Sequence, residues 1–177
     1  MNGLLTFPAD TLDLPASVVA IGAFDGVHRG HQKVIGSAVE AARRLGCPCV
    51  VYTFDVPPKA VFAGAQVITP LPEKLRKIGQ LGASCAVVAQ FDRAYAARSA
   101  ADFMAELARL SPREIRVGAD FRFGAGGTGD VALLASRFTV RVVDAVRCER
   151  GEVISSSRIR GLLGHDPSAA SQLLACD

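Results

Sequence analysis

The sequence predicts an α/β protein built on a doubly wound parallel sheet of about five strands. Apolar runs of strand length alternate strictly with helical repeats, and no linker or low-complexity stretch interrupts them. The strand runs are continuously apolar rather than alternating, the pattern of strands covered by helices on both faces. At 177 residues and 50% hydrophobic content, the chain has material for one such domain, residues 1–177.

The first strand is "SVVAIG" at 17–22. Val34, Ile35, Ala38, Val39, Ala42 and Leu45 then recur at helical spacing until Gly46 stops the run, and "CVVYTF" at 49–54 completes a βαβ unit. "LPEKLRKIGQLG" at 71–82 is a helix with proline near its start and glycine after it, and "CAVVAQF" at 85–91 is the third strand. Ser99 and Asp102 form a capping box that opens the helix ending near Leu110, and "EIRVG" at 114–118 is the fourth strand. Asp130 caps a helix reaching Phe138, and "TVRVVDAV" at 139–146 is the fifth strand, followed by a turn at Glu149 to Gly151. Two short helices come last, the second with Asp166 as N-cap and Pro167 at its first position.

Twenty Lys and Arg against seventeen Asp and Glu leave a charge of +3, with bases scattered among acids. This balance suits a small anionic ligand and argues against a nucleic-acid surface. No apolar run approaches the ~20 residues of a membrane span, and "MNGLLTFPADTLDLP" lacks the basic start and apolar middle of a signal peptide, so a cytoplasmic protein with no membrane partner is expected. Cys47, Cys49, Cys85, Cys148 and Cys176 sit mostly among Val, Ala and Leu and read as reduced, buried thiols. "CPC" at 47–49 lacks the spacing of paired metal ligands, and no metal site is assigned to it.

Ligands of doubly wound sheets bind at the carboxyl ends of the strands, and the distinctive sequences lie in those loops. "GAFDGVHRGH" at 22–31 joins the first strand to the first long helix, whose free N–H groups and positive end favour an anion. Gly22 and Gly26 permit close backbone approach. His28 and His31, three residues apart across the helix start, place both imidazoles on one side, where each can donate to a phosphate oxygen.

The same stretch contains the His-x-Gly-His signature of the nucleotidyltransferase superfamily. Its Gly-x-Phe-Asp-Gly-Val-His form resembles one branch, the FMN adenylyltransferase module of bacterial FAD synthetases. Three further segments resemble that branch in order and spacing: "FDRAYAARSAADFM" (91–104), "VGADFRFGAGGTGDVALL" (117–134) and "ISSSRIR" (154–160), with Ser157 where threonine is usual. The likeness runs from Val18 to about Leu174. It implies a Rossmann-like nucleotidyltransferase fold and transfer of AMP from ATP to FMN, giving FAD and pyrophosphate, with Mg²⁺ carried on the ATP phosphates. By resemblance His28, His31 and Arg160 are catalytic. Gly22, Phe24, Asp25 and Gly26 shape the nucleotide loop, and Ser155, Ser156 and Ser157 meet the β- and γ-phosphates. Arg158, at the variable position of the motif, is expected in solvent. Phe54, Pro57, Pro58, Asp92, Asp120, Phe121 and Arg122 are expected around the acceptor, although Phe54 and Phe121 also suit a core, and Asp92 suits an ion pair with Arg93 or Arg98.

Two departures from the family pattern stand out. "TFDVPP" puts Val56 and Pro57 where relatives have Pro and often His, which leaves open an adenylyl- or cytidylyltransferase acting on another small phosphate or phosphonate. With Asp177 as the last residue, a riboflavin kinase domain is not expected in the chain. A non-catalytic nucleotide sensor is disfavoured by the intact histidine and Ser/Arg motifs. "GAGGTG" at 124–129 fits the dinucleotide fingerprint of dehydrogenases literally, yet Phe121 to Phe123 separate it from the strand, where that fingerprint needs its tight turn at once.

Overall fold

The structure, a computed structural model, describes residues 4–175, so the expectation for Cys176 falls outside the described residues. Its centre is a six-stranded sheet, all parallel: β1 (Leu5–Pro8), β2 (Ser17–Ile21), β3 (Cys49–Phe54), β4 (Cys85–Ala89), β5 (Pro112–Gly118) and β6 (Val140–Val143), in the spatial order β1-β4-β3-β2-β5-β6. The helices are α1 (Arg29–Leu45), α2 (Pro58–Ala63), α3 (Leu71–Gln80), α4 (Arg93–Ala96), α5 (Ala100–Arg109), α6 (Val131–Ala135), α7 (Ser156–Leu163) and α8 (Pro167–Leu174). The doubly wound class is as expected.

The strand count is corrected from about five to six. The extra strand, β1, pairs along Cys85 to Val88 at the sheet edge. Its Leu5 and Thr6 are exposed and it ends in proline, so a ladder partner makes it a strand rather than an apolar run of its own. Two strands stop earlier than their apolar runs. β4 ends at Ala89, paired with the last residue of β3, and β6 ends at Val143, paired with the last residue of β5. Short helices α2 and α4 are additions to the sequence expectation.

β2 is buried throughout, and its alternate residues feed two separate cores. Val18 and Ala20 pack with Val34, Ile35, Ala38 and Val39 of α1, whereas Val19 and Ile21 pack with Phe103 and Leu107 of α5. The alternation is therefore real, but both sides are apolar. The predicted caps are in place: Gly46 ends α1 in the left-handed conformation, Ser99 and Asp102 form the capping box of α5, and Asp130 and Asp166 cap α6 and α8.

A buried polar network ties α5 to the sheet. The Tyr52 hydroxyl donates to Glu106 Oε1 at 2.6 Å and lies 2.7 Å from the Tyr95 hydroxyl, while Arg98 donates to Glu106 Oε2 at 2.7 Å. Burial, with Tyr95 and Glu106 close by, holds the Tyr52 phenol far above its usual range, so it remains a donor. Tyr52→Phe strips Glu106 of one donor in a buried setting and is expected to lower stability by about 1–3 kcal/mol, read as the change in urea midpoint at constant slope.

Candidate active site

The chain steps outward from β2 through β3 to β4, then crosses to place β5 on the other side of β2. The loops leaving β2 and β5 therefore diverge, opening the crevice where ligands of this sheet class bind. The loop after β2 is strained: Phe24 (φ 49°), Gly26 (φ 89°) and Val27 (φ 46°) are all left-handed. For a β-branched residue this is a rare conformation, costing about 1–3 kcal/mol unless the surroundings enforce it. They do, because Phe24 and Val27 are buried in the core on the α1 side, and a Cβ on Gly26 would meet Leu174 and Ile68 at 3.1 and 3.3 Å.

His28 is the N-cap of α1, its Nδ1 accepting from the His31 backbone N–H at 3.4 Å. An accepting Nδ1 places the proton of the neutral ring on Nε2, which leaves an N–H donor on the far side of the imidazole. The two imidazoles stack, with centroids 3.6 Å apart and planes at 21°, and Phe24 meets His31 edge-on at 5.3 Å. Burial lowers the His28 pKa to about 4 against the pull of Asp25 and Asp120, and burial, then His28 and Lys74, hold His31 well below the ordinary range. Both rings are neutral at pH 7. His31 Nδ1 is buried with no hydrogen-bond partner.

Asp25 is the hub of the loop. Its buried carboxylate accepts from Ile68 N–H (3.0 and 3.1 Å), Thr69 N–H (3.1 Å) and Arg160 Nη2 (2.6 Å). Its carbonyl accepts from Ser156 Oγ at 2.9 Å. Through these bonds the Asp25 carboxylate holds the loop and Arg160 in place. Arg160 also donates through Nε to the Gln66 carbonyl at 2.7 Å. Ser155 caps α7 through the Arg158 N–H, and Ser157 Oγ receives Lys59 Nζ at 2.6 Å. The expectation for Arg158 is corrected: rather than standing in solvent, it pairs with Glu152 and donates to Cys148 Sγ at 3.2 Å, which packs it on the turn before α7. Gly22 closes the loop at its start, donating to the Tyr52 carbonyl.

The acceptor candidates fall on either side of β2. Beyond β3 and β4, Phe54 meets Phe91 and Tyr95 edge-on at 5.0 and 5.8 Å, with Pro57 buried at the N-cap of α2 and Pro58 at its first position. Asp92 is no ion-pair partner of Arg93 or Arg98. It is the N-cap of α4, taking the Tyr95 N–H at 2.7 Å, while Arg98 belongs to Glu106 and Asp10. Beyond β5, Asp120 and Arg122 are exposed, Arg122 lies 3.8 Å from Asp130, and Phe121 stacks on Phe123 at 5.6 Å. Both Phe54 and Phe121 are partly buried against the α5-side core. In "GAGGTG", Phe123 bridges Gly129, and Gly124, at φ 74°, would put a Cβ 2.7 Å from the Ala100 backbone.

One site residue was missed. Lys74 of α3 is buried, its Nζ donating to the Ala23 carbonyl at 3.2 Å and the Phe54 carbonyl at 2.5 Å, so it binds the ends of β2 and β3 together. Burial lowers its pKa to about 8, opposed by Asp25 and Asp55. Its spacing of four from buried Ile78 on the apolar face of α3 is the signal that identifies it.

The sequence matches FAD synthetase over residues 11–158. The chain belongs to the FAD synthetase family. It is 55% identical over 152 residues to a Geobacillus thermodenitrificans protein whose name pairs riboflavin kinase with FMN adenylyltransferase, covering 86% of this chain and 85% of that one. It is 36% identical over 166 residues to the bifunctional riboflavin kinase/FMN adenylyltransferase of Escherichia coli (strain K12), covering 89% of this chain and 53% of that one. The chain thus spans about half the length of the latter FAD synthetase relative. A solved Streptococcus pneumoniae chain described as a macrolide-efflux protein superposes with a TM-score of 0.84 at 30% identity, over 97% of this chain and 61% of that one. Among the described residues no helix is long and apolar enough to cross a membrane.

The neutral state of His28 has a thermodynamic consequence. The unfolded chain takes up a proton near the ordinary histidine value of 6.5, and the folded chain only near about 4. Between those values the unfolded state binds more protons, so stability falls as pH drops through this window. His28→Asn keeps a capping side chain without titrating, and its melting temperature is expected to fall less steeply than wild type between pH 6.5 and 4, measured by thermal scans across that range.

Proposed function

We propose that this FAD synthetase relative transfers AMP from ATP to FMN, giving FAD and pyrophosphate. A phosphate oxygen of FMN attacks the α-phosphorus in line, a new P–O bond forms, and the bond to the pyrophosphate oxygen breaks. The observation that carries the reading is the neutral, stacked His28–His31 pair at the α1 N-terminus, with its Nε2–H donor on His28. A neutral donor in a partly desolvated crevice stabilises charge developing on the α-phosphoryl oxygens without any reorganisation. Arg160, prepositioned by Asp25 and Gln66, neutralises the leaving pyrophosphate, and the start of α7 supplies N–H groups and hydroxyls to it.

Gly22, Phe24 and Gly26 shape the turn that presents His28. Phe54, Pro57, Pro58 and Asp92 on one side, and Asp120, Phe121 and Arg122 on the other, frame the acceptor. Mg²⁺ comes with the triphosphate and offsets its charge. The exposed Asp120 carboxylate, near enough to His28 to act on its titration, is an oxygen donor of the kind that would hold this ion. Both substrates are small, soluble nucleotides, which fits a cytoplasmic enzyme.

Pyrophosphate release in the presence of ATP, Mg²⁺ and FMN tests the reading. His28→Ala and His31→Ala are each expected to lower turnover by roughly 10²-fold or more with the circular dichroism spectrum retained. Near-wild-type turnover in both removes the histidines from the mechanism. Release with another phosphorylated acceptor but not FMN reassigns the substrate.

A further inference from the structure

We propose that Lys59, on the acceptor-side helix α2, is a further binding residue for the ATP phosphates. The inference rests on the nucleotidyltransferase reading above. It begins from the cations gathered around the start of α7. Arg158 is paired with Glu152, Arg160 with Asp25, and Lys74 is buried against two carbonyls. Lys59 differs. Its ammonium is held 2.6 Å from the neutral hydroxyl of Ser157, and among the described residues no carboxylate lies within ion-pair distance of it.

The surroundings of that contact are positive as well. Ser157 lies in the first turn of α7, whose N-terminus has unpaired N–H groups beyond the one that Ser155 accepts. The start of α1 abuts the same point: a Cβ on Gly30 would sit 3.6 Å from the Ile154 carbonyl, one residue ahead of Ser155. Next to Gly30, His31 keeps a buried Nδ1 with no hydrogen-bond partner. Two helix starts and an ammonium without a carboxylate partner converge here, while the neighbouring Asp25 is taken up by Arg160 and by backbone N–H groups, an arrangement that a phosphate chain would complete.

The segment bearing Lys59 is pinned at both ends. The Phe54 carbonyl is fixed by Lys74, and the N–H groups of Ile68 and Thr69 are fixed by Asp25. No residue of α2 is fully buried, while Phe62 meets Phe91 edge-on at 6.0 Å and the Gln66 carbonyl is held by Arg160. Exchange of the Ser157 hydroxyl for a phosphate oxygen would leave the Lys59 ammonium at the same point.

Lys59→Met keeps the aliphatic stem and removes the charge. Calorimetric titration of MgATP into this variant is expected to give an affinity about 5- to 10-fold weaker than wild type with a shallower salt dependence, and Lys59→Arg is expected to restore most of it. In steady-state pyrophosphate release the KM for ATP rises correspondingly, while the KM for FMN stays within about twofold. The proposal is overturned if Lys59→Met binds ATP as wild type does, or if the KM for FMN rises instead, which assigns the ammonium to the acceptor phosphate. Failure of the underlying reading is a separate result: the wild-type chain itself then neither binds MgATP nor releases pyrophosphate.

Discussion

A single buried carboxylate holds together the parts of the site. Asp25 collects N–H groups from residues 68 and 69, the guanidinium of Arg160 and, through its own carbonyl, the hydroxyl of Ser156. These groups come from two segments far apart in the chain, both tied through Asp25 to the loop after β2. A charge so deep is tolerable only when it is paired and hydrogen-bonded, so the positions of those segments are not independent choices. Where Asp25 goes, the loop after β2, the lead into α3 and the helix α7 must follow. The left-handed Phe24 and Val27 are strain that this cross-linking enforces.

The same tightness sets the chemistry of the histidines. His28 caps its helix through Nδ1, and burial keeps both imidazoles uncharged. A protonated Nδ1 would lose the cap, so helix start and proton state reinforce each other. The positive character of the site then comes from helix ends, from Arg160 and from Lys74, rather than from imidazolium. Lys74 adds a fixed charge behind His31 while joining the carbonyls of the β2 and β3 loops. Nucleotide-side and acceptor-side loops thereby share one foundation, with Asp25 and Lys74 as its two charged members.

The acceptor side is built differently. Its aromatic side chains, Phe54, Phe91 and Tyr95, are partly exposed, Phe54 meeting the other two in T-shaped contacts, and Phe62 beside Phe91 stands in solvent. Pro57 is buried at the N-cap position of α2. A proline there fixes the backbone angle at the helix entry and has no side-chain donor to offer. This side therefore presents ring surface and groups from neighbouring segments.

By itself the sequence determined the layered parallel fold, the caps at Gly46, Ser99, Asp130 and Asp166, and the pairing of His28 with His31 on one side of a helix start. These depend on local periodicity and on contacts three or four residues apart, which a linear reading can see. Asp92 also takes a local partner, the Tyr95 N–H three residues on, in place of the expected ion pair with Arg93 or Arg98. The edge strand β1 was not legible, because its half-exposed "LTFP" becomes a strand only by pairing with β4, some eighty residues on. The tertiary structure alone decided that Asp25 spends its carboxylate on Arg160, that Lys74 lies buried between two strand ends, and that Lys59 reaches Ser157. Each joins residues separated by tens to more than a hundred positions, and such partners are chosen by how the sheet brings its loops to one edge, not by any pattern within them.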